Sequence, residues 1–352
     1  MRIAVALATH NGSRFLGEQL TSILRQTRKP DHLVISDDAS SDDTVAIAED
    51  FQQTAPFQVD VLAGHGHGPL GPMGNFLRAA EACEAPYVAF CDQDDVWRPQ
   101  KLALCEEALG ATSSLVVVHS VSQFTTSAAG MLPAGRIEVP SRVVDGLQLP
   151  PNKVVLGMCM VVQKALLEPA SQLKRLWEPR FDVIAKTRPL SLIDHWSHAH
   201  DMYLFTTARL LGQLTFMRDV LALRRLHESN YSSGGSSWAQ LPEVEQSWGR
   251  GRNRGYRLLS RHCKDFADML EEAICIPLRN RRRHAVLEHY GRWSDIWRRR
   301  AMLHGPDAGL PARAICLLRI AGKGGYRGHY DGGSGVRSFG KDFLNALGVR
   351  VG

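Results

Sequence analysis

Through the first 120 residues, short apolar runs alternate with stretches whose apolar positions recur every three or four residues. Ile3–Ala8 reads as a buried strand, and Arg14–Gln26, with Leu16, Leu20, Ile23 and Leu24 at helical spacing, as a helix. His32–Ser36 predicts a second strand running into Asp37 and Asp38. Ser41–Phe51 predicts a helix whose first turn holds the acids Asp42 and Asp43, which suit the positive end of the helix dipole. Val59–Leu62 reads as a third strand, 64–74 as a glycine-rich loop, Asn75–Cys83 as a helix, Tyr87–Cys91 as a fourth strand and Gln100–Leu109 as another helix. Such repetition builds a parallel, doubly wound sheet, with ligands at the carboxyl ends of its strands.

Beyond Leu115–Val118 the rhythm weakens. Residues 124–150 read as loop, Val154–Val162 as a strand interrupted by Gly157, His200–Leu211 as a helix and Gln213–Leu223 as a strand. From Pro242 the pattern is helical and rich in arginine, over Arg250–Glu272 and Pro277–Arg300. A glycine-rich passage over 322–335 precedes a last helix, Ser338–Leu347. The expected organisation is an α/β domain over 1–235 and a basic, mainly helical region over 236–352.

Composition narrows the class. The chain has 352 residues, 44% hydrophobic and 22% charged, as in ordinary globular proteins. No apolar run approaches the roughly 18 residues that a spanning helix needs, and the apolar start Met1–Leu7 is too short for a signal peptide. The seven cysteines are scattered without a Cys-x-x-Cys pair, which reads as small core residues in a reducing compartment. A cytoplasmic protein, at most peripheral on a membrane, is expected. The net charge of +6 is unevenly spread, because beyond residue 240 basic residues outnumber acidic ones by roughly two to one. That tail suits an anionic partner, nucleic acid or phospholipid, or simply a solvated helical face.

The most informative segment is Phe90–Pro99, which sets Asp92, Asp94 and Asp95 directly after an apolar strand. Uncompensated carboxylates are costly at a strand end. Mg²⁺ or Mn²⁺ prefers such oxygen ligands and binds through one or two carboxylates plus substrate phosphates. An Asp-x-Asp there is a candidate metal–diphosphate site, the alternative being an acidic surface turn. Gly66–Gly71 spells G-x-G-x-x-G, but after the third strand, and Pro69 and Pro72 offer no N–H to a pyrophosphate. Arg281–Arg283 and Arg298–Arg300 mix with Leu287, Tyr290, Trp293, Ile296 and Trp297, a blend better suited to a membrane interface or an intramolecular cap than to base readout.

These motifs, in this order, resemble inverting glycosyltransferases of family 2 with the GT-A fold, in the bacterial polysaccharide subgroup that includes rhamnosyltransferases. Thr9-His10-Asn11-Gly12 resembles the family's opening, and Gln19 to Thr27 its first helix. Ser36-Asp37-Asp38-Ala39-Ser40 is similar to its second-strand signature, Gly71-Pro72-x-x-Asn75-Phe76 to its third-loop pattern, and Asp92 to Leu102 to its metal motif. His200-Asp201-x-Tyr203-Leu204 and Arg224-Arg225-Leu226-His227-x-x-Asn230 resemble two later motifs. The likeness is dense over 1–232 and thin beyond. It departs at His10, Gly74, Met202 and Ser120-Val121.

The resemblance implies a Rossmann-like mixed sheet flanked by helices, with a nucleotide-binding half over 1–120, an acceptor half over 121–235 and a helical carboxyl-terminal extension. It implies that Asp94, with Asp92 nearby, holds Mn²⁺ or Mg²⁺ on the donor's diphosphate, and that His227 reaches the metal or the phosphates. Asp38 would accept a hydrogen bond from a uracil or thymine imide, or else cap a turn or helix. Thr9, Asn11 and Asn75 would line the nucleotide pocket, and Arg14 would contact phosphate. Asp201 is the expected general base for a single in-line displacement, with Asp194 as a substitute. The implied partners are a UDP- or dTDP-sugar (dTDP-rhamnose by subgroup), a glycan or lipid-linked acceptor, and an anionic membrane met by the basic helices. The rival is a nucleic-acid- or membrane-binding protein whose α/β domain is not catalytic.

Overall fold

The computed structural model describes residues 1–64, 68–127, 130–186, 199–228, 230, 252–273, 276–328 and 333–347. Its framework is a ten-stranded mixed sheet with helices on both faces. The strands are β1 (Ile3–Thr9), β2 (His32–Asp37), β3 (Gln58–Leu62), β4 (Tyr87–Asp92), β5 (Val96–Trp97), β6 (Val116–Ser127), β7 (Gly130–Ile137), β8 (Arg142–Asp145), β9 (Met160–Gln163) and β10 (Gln213–Arg225). The helices are α1 (Ser13–Leu24), α2 (Thr44–Thr54), α3 (Gly71–Ala82), α4 (Lys101–Ala111), α5 (Leu167–Lys186), α6 (His200–Leu211), α7 (Arg252–Glu272), α8 (Asn280–Leu303), α9 (Leu310–Gly322) and α10 (Val336–Ala346).

The amino-terminal strands run parallel in the order β3-β2-β1-β4, and the sheet continues through β9, β6, β10 and β5. Every residue of β1 is buried, as a strand covered on both faces must be. On α1 the buried positions Leu16, Gln19, Leu20 and Ile23 repeat at helical spacing and turn one stripe to the sheet. Strand register positions the site. Thr9 pairs with Asp37 across β1–β2, and Ala8 with Asp92 across β1–β4, so the polar ends of three strands share one rim.

The second half departs from expectation. Residues 124–150, expected as loop, carry the end of β6, all of β7, which pairs antiparallel with it, and β8 against β10. A two-sided alternation is absent there because β7 is exposed over most of its length. The expected strand Val154–Val162 is strand only from Met160; Gly157–Cys159 form a 3₁₀ turn. The glycine-rich loop ends at Leu70, and α3 begins at Gly71 with Pro72 in its first turn, where a missing N–H costs nothing. Helix α9 and the two-residue strand β5 were not expected from the sequence.

In the carboxyl-terminal region the aromatic face of α8 turns inward: Tyr290, Trp293, Ile296 and Trp297 are buried. Arg282 donates to the Leu210 and Arg209 carbonyls and pairs with Asp145 at 2.6 Å, while Arg283 caps the end of α7 through the Leu270 and Ala273 carbonyls. Of the two readings the sequence left for this arginine–aromatic helix, membrane interface or intramolecular cap, the packing fits the cap: its rings fill the seam with α7 and its Arg282 grips the α/β half. Among the described residues no helix is long and apolar enough to cross a membrane, and the six described cysteines are free and buried.

Candidate active site

At the tips of β1 and β2 the polar side chains hold one another. The Thr9 hydroxyl donates to Asp37 Oδ2 at 2.9 Å, and Asn75 Nδ2 donates to the Thr9 carbonyl at 3.0 Å, while Asn75 Oδ1 is buried without a partner. Asn11, at φ 46, accepts from the Ser41 N–H through Oδ1 and donates its own N–H to Ser40 Oγ. Ala39 sits at φ 61 beside it, so two non-glycine residues in left-handed conformations shape this rim. Asp38 accepts from the N–H groups of Leu70 and Gly71 at 2.7 and 2.8 Å. The structure thus puts Asp38 in the capping role, at the start of α3. Arg14 is exposed, its guanidinium 4.8 Å from the Phe15 ring.

At the end of β4 the acidic turn meets the end of β10. Pairing of Val96 with Leu223 and Trp97 with Ala222 brings the two together. His227 Nε2 lies 2.8 Å from Asp94 Oδ2, and Asn230 Nδ2 reaches the same oxygen at 3.3 Å. Asn230 Oδ1 also accepts the His227 N–H at 2.6 Å, which fixes the ring's backbone. Beneath them runs Arg225, buried between the rings of Phe15 and Phe124, 4.6 Å from each. Its N–H donates to Asp95 Oδ1, its Nε to the Asp94 carbonyl, its Nη1 to Thr126, and its Nη2 pairs with Glu18. Arg225 laces the turn from below, a role that spacing alone did not reveal; Glu18 and Thr126 also went unnoticed in the sequence.

The electrostatics of this turn are unbalanced. Burial first, then the charge of Asp94, raises Asp92 above the usual carboxylate range. Burial and the charges of Asp92 and Asp94 raise Asp95 well above it. Asp95 Oδ2 is buried without any hydrogen-bond partner. Among the described residues no three His, Cys, Asp or Glu side chains converge as a closed metal cage. An open pair, Asp94 and His227, with a surplus of negative charge behind it, fits a hard divalent cation that takes its other ligands from phosphate and water.

Asp201 stands in the first turn of α6, where Oδ2 accepts from the Gly157 N–H at 3.1 Å. Burial raises its pKa to about 6. Its charge also acts on Asp92, raising that carboxyl further. Preceding it, His200 stacks on Phe76 at 4.0 Å, with Phe90 at 4.9 Å, and keeps an unpartnered buried Nε2. Gly157 allows this approach, since a Cβ there would fall 2.5 Å from His200 Nε2. The turn at Gly157 is held in place by the buried Lys101, whose Nζ donates to the Met158 carbonyl at 2.7 Å and sits over the Trp97 ring. Lys101 and Gly157 were legible in the sequence only as a motif letter and a strand interruption. Asp194, the substitute base, lies outside the described residues.

Comparison with known proteins adds to this geometry. Residues 4–169 match Glycosyl transferase family 2. The chain carries a family 2 glycosyltransferase domain. The glycosyltransferase is 24% identical over 337 residues to an uncharacterized glycosyltransferase, alr2836, of Nostoc sp., covering 92% of this chain and 95% of that protein. It is 31% identical over 134 residues to the dTDP-rhamnosyl transferase RfbG of Shigella flexneri, covering 37% of this chain and 43% of RfbG. In structure it is similar to S. aureus TarS 1–349 in complex with UDP-GlcNAc, at TM-score 0.53 and 16% identity over 99% of this chain and 90% of that one. At that identity the likeness shows the fold alone.

Proposed function

We propose that this glycosyltransferase is metal-dependent and inverting, and moves a sugar from a UDP- or dTDP-sugar to a glycan or lipid-linked acceptor in bacterial surface-polysaccharide synthesis. The observation that carries this reading is the Asp94–His227 pair beside the buried carboxylates Asp92 and Asp95, with the charge of Asp201 acting on Asp92. Asp94 and His227 would hold Mn²⁺ or Mg²⁺, with Asp92 nearby. The cation, when bound, supplies Lewis-acid stabilisation of the departing nucleoside diphosphate. Asp201, held by the Gly157 N–H, takes the proton of the attacking acceptor hydroxyl, and its raised pKa makes it a stronger base than a solvated carboxylate. Arg225 keeps the acidic turn in register with β10.

Around the nucleotide, Thr9, Asn11 and Asn75 shape the pocket wall and Arg14 meets phosphate. Asp38 would receive a base imide in addition to the two backbone N–H groups it accepts. A dTDP-rhamnose donor is supported by likeness to RfbG and to the O-antigen chain rhamnosyltransferase RfbN of Salmonella typhimurium. A lipid-linked acceptor places the protein on the cytoplasmic face of the membrane, with 1–235 as the catalytic unit and 236–352 as its helical extension. The test is slow donor hydrolysis across UDP-, dTDP- and GDP-sugars with Mn²⁺. Hydrolysis of a UDP- or dTDP-sugar, abolished by EDTA and in Asp94→Ala, is expected; activity that survives either would overturn the metal's role.

A further inference from the structure

Helices α9 and α10 both leave apolar residues facing away from the core. On α9 the buried positions are Cys316 and Ile320, whereas Leu310, Pro311, Ala314, Ile315 and Leu318 form one exposed apolar stripe at helical spacing. Leu318 is 71% exposed. On α10 the pattern is inverted except at Ala346, which is buried. Val336, Phe339, Phe343, Leu344 and Leu347 face outward, Val336 at 79% exposure, while Asp342 and Asn345 face inward.

The inward polar face is fastened. Asp342 pairs with Arg300 at 2.8 Å and His304 at 2.7 Å, and accepts the Tyr326 hydroxyl at 2.9 Å. Arg313 ties α9 to α10 through the Asn345 carbonyl. Helix α10 cannot roll its apolar side inward without breaking a buried ion pair, nor α9 without breaking the Arg313 hydrogen bonds to the Asn345 and Gly305 carbonyls. The two apolar stripes therefore form a standing surface, not a loosely packed end.

We propose that the outward faces of α9 and α10 form a docking surface for an anionic lipid bilayer. The charge around the stripes selects that occupant. Among the described residues from 310 to 347, every exposed charged side chain is basic: Arg319, Arg327, Arg337 and Lys341, together with Lys323, which pairs with Asp295 at 2.9 Å. A second copy of the chain docked here about a two-fold axis would set these cations against themselves. An anionic headgroup layer neutralises them while the leucine, valine and phenylalanine side chains enter the acyl boundary. The surface is distinct from the arginine–aromatic face of α8. It rests on the proposed function only for which membrane is met, since the geometry stands without the chemistry.

The full chain is sedimented with vesicles of mixed phosphatidylglycerol and phosphatidylcholine, and with phosphatidylcholine alone, at physiological salt. Binding to the anionic vesicles only is expected. Leu318→Ser, Val336→Ser and Phe343→Ser combined should weaken it at least about tenfold, through loss of apolar insertion. Arg319→Gln and Arg337→Gln should each weaken it about fivefold, the equivalent of about 1 kcal/mol per charge. All variants should keep wild-type donor hydrolysis and helical circular dichroism. No binding to anionic vesicles, equal binding to both compositions, or a dimer in light scattering that the triple substitution dissolves would each overturn the proposal. Vesicle binding by a chain that hydrolyses no donor would leave it standing while removing the proposed reaction.

Discussion

Acidic side chains are drawn out of water in two places, and the chain treats them in opposite ways. In the helical extension, burial alone would raise Asp342, yet the His304 hydrogen bond and the Arg300 charge hold it below the usual carboxylate range. Both of its oxygens are engaged by side chains from neighbouring elements. At the rim, burial and mutual repulsion raise Asp92 and Asp95, and one Asp95 oxygen has no partner at all. The first group is closed and acts as a fastening between α8, α10 and the turn at Tyr326. The second is open: repulsion among Asp92, Asp94 and Asp95 is only partly offset by Arg224. Burial of acids is common to both places; only the missing compensation makes the second a candidate binding site.

Breaking the open group should cost activity, and breaking the closed one should cost stability. Asp94→Ala should lower transfer by on the order of 10⁴, several kcal/mol of barrier, and abolish Mn²⁺ binding in calorimetry. In metal-free buffer the same variant should melt no lower than wild type, because it relieves repulsion. Asp201→Asn should lower kcat by ~10³ while nucleotide binding is retained. Wild-type kcat/KM should rise with pH to a plateau with an apparent pKa of about 6, since the base works as the carboxylate, and this limb should vanish from the variant's residual rate.

Asp342→Asn should destabilise the fold by about 3–5 kcal/mol in urea unfolding, because Arg300 stays buried without its counter-charge. Its rate per folded molecule should be unchanged. Gly157→Ala should be milder, about 1–3 kcal/mol of overpacking against His200. It should also depress kcat more than KM, by displacing the N–H that holds Asp201.

Several elements announced themselves along the chain because their physics is local. The runs of β1, β2 and β4, the stripe of α1 and the acids after Phe90 need only neighbouring residues to be read. The strands β6 to β8 did not, because an exposed antiparallel ribbon carries neither a long apolar run nor strict alternation. The bond from His227 to Asp94 spans 133 positions, and the Arg225 lacing spans up to 207, distances over which no pattern of residues reports contact. Asp38 shows the same limit: its motif suggested two roles, and the partners that put it at the start of α3 lie more than thirty residues away.

By itself the sequence determined where to look: three carboxylates after an apolar strand make a candidate site of the kind that suits a hard cation and a phosphate-bearing ligand. Tertiary structure alone decided which groups complete that site, which acids are already neutralised, and which apolar residues have no core to enter. The physical reason is that charge compensation and burial are sums over neighbours in space. The chain supplies the residues, and only folding assigns Arg300 to Asp342, His227 to Asp94, and solvent to the apolar faces of α9 and α10.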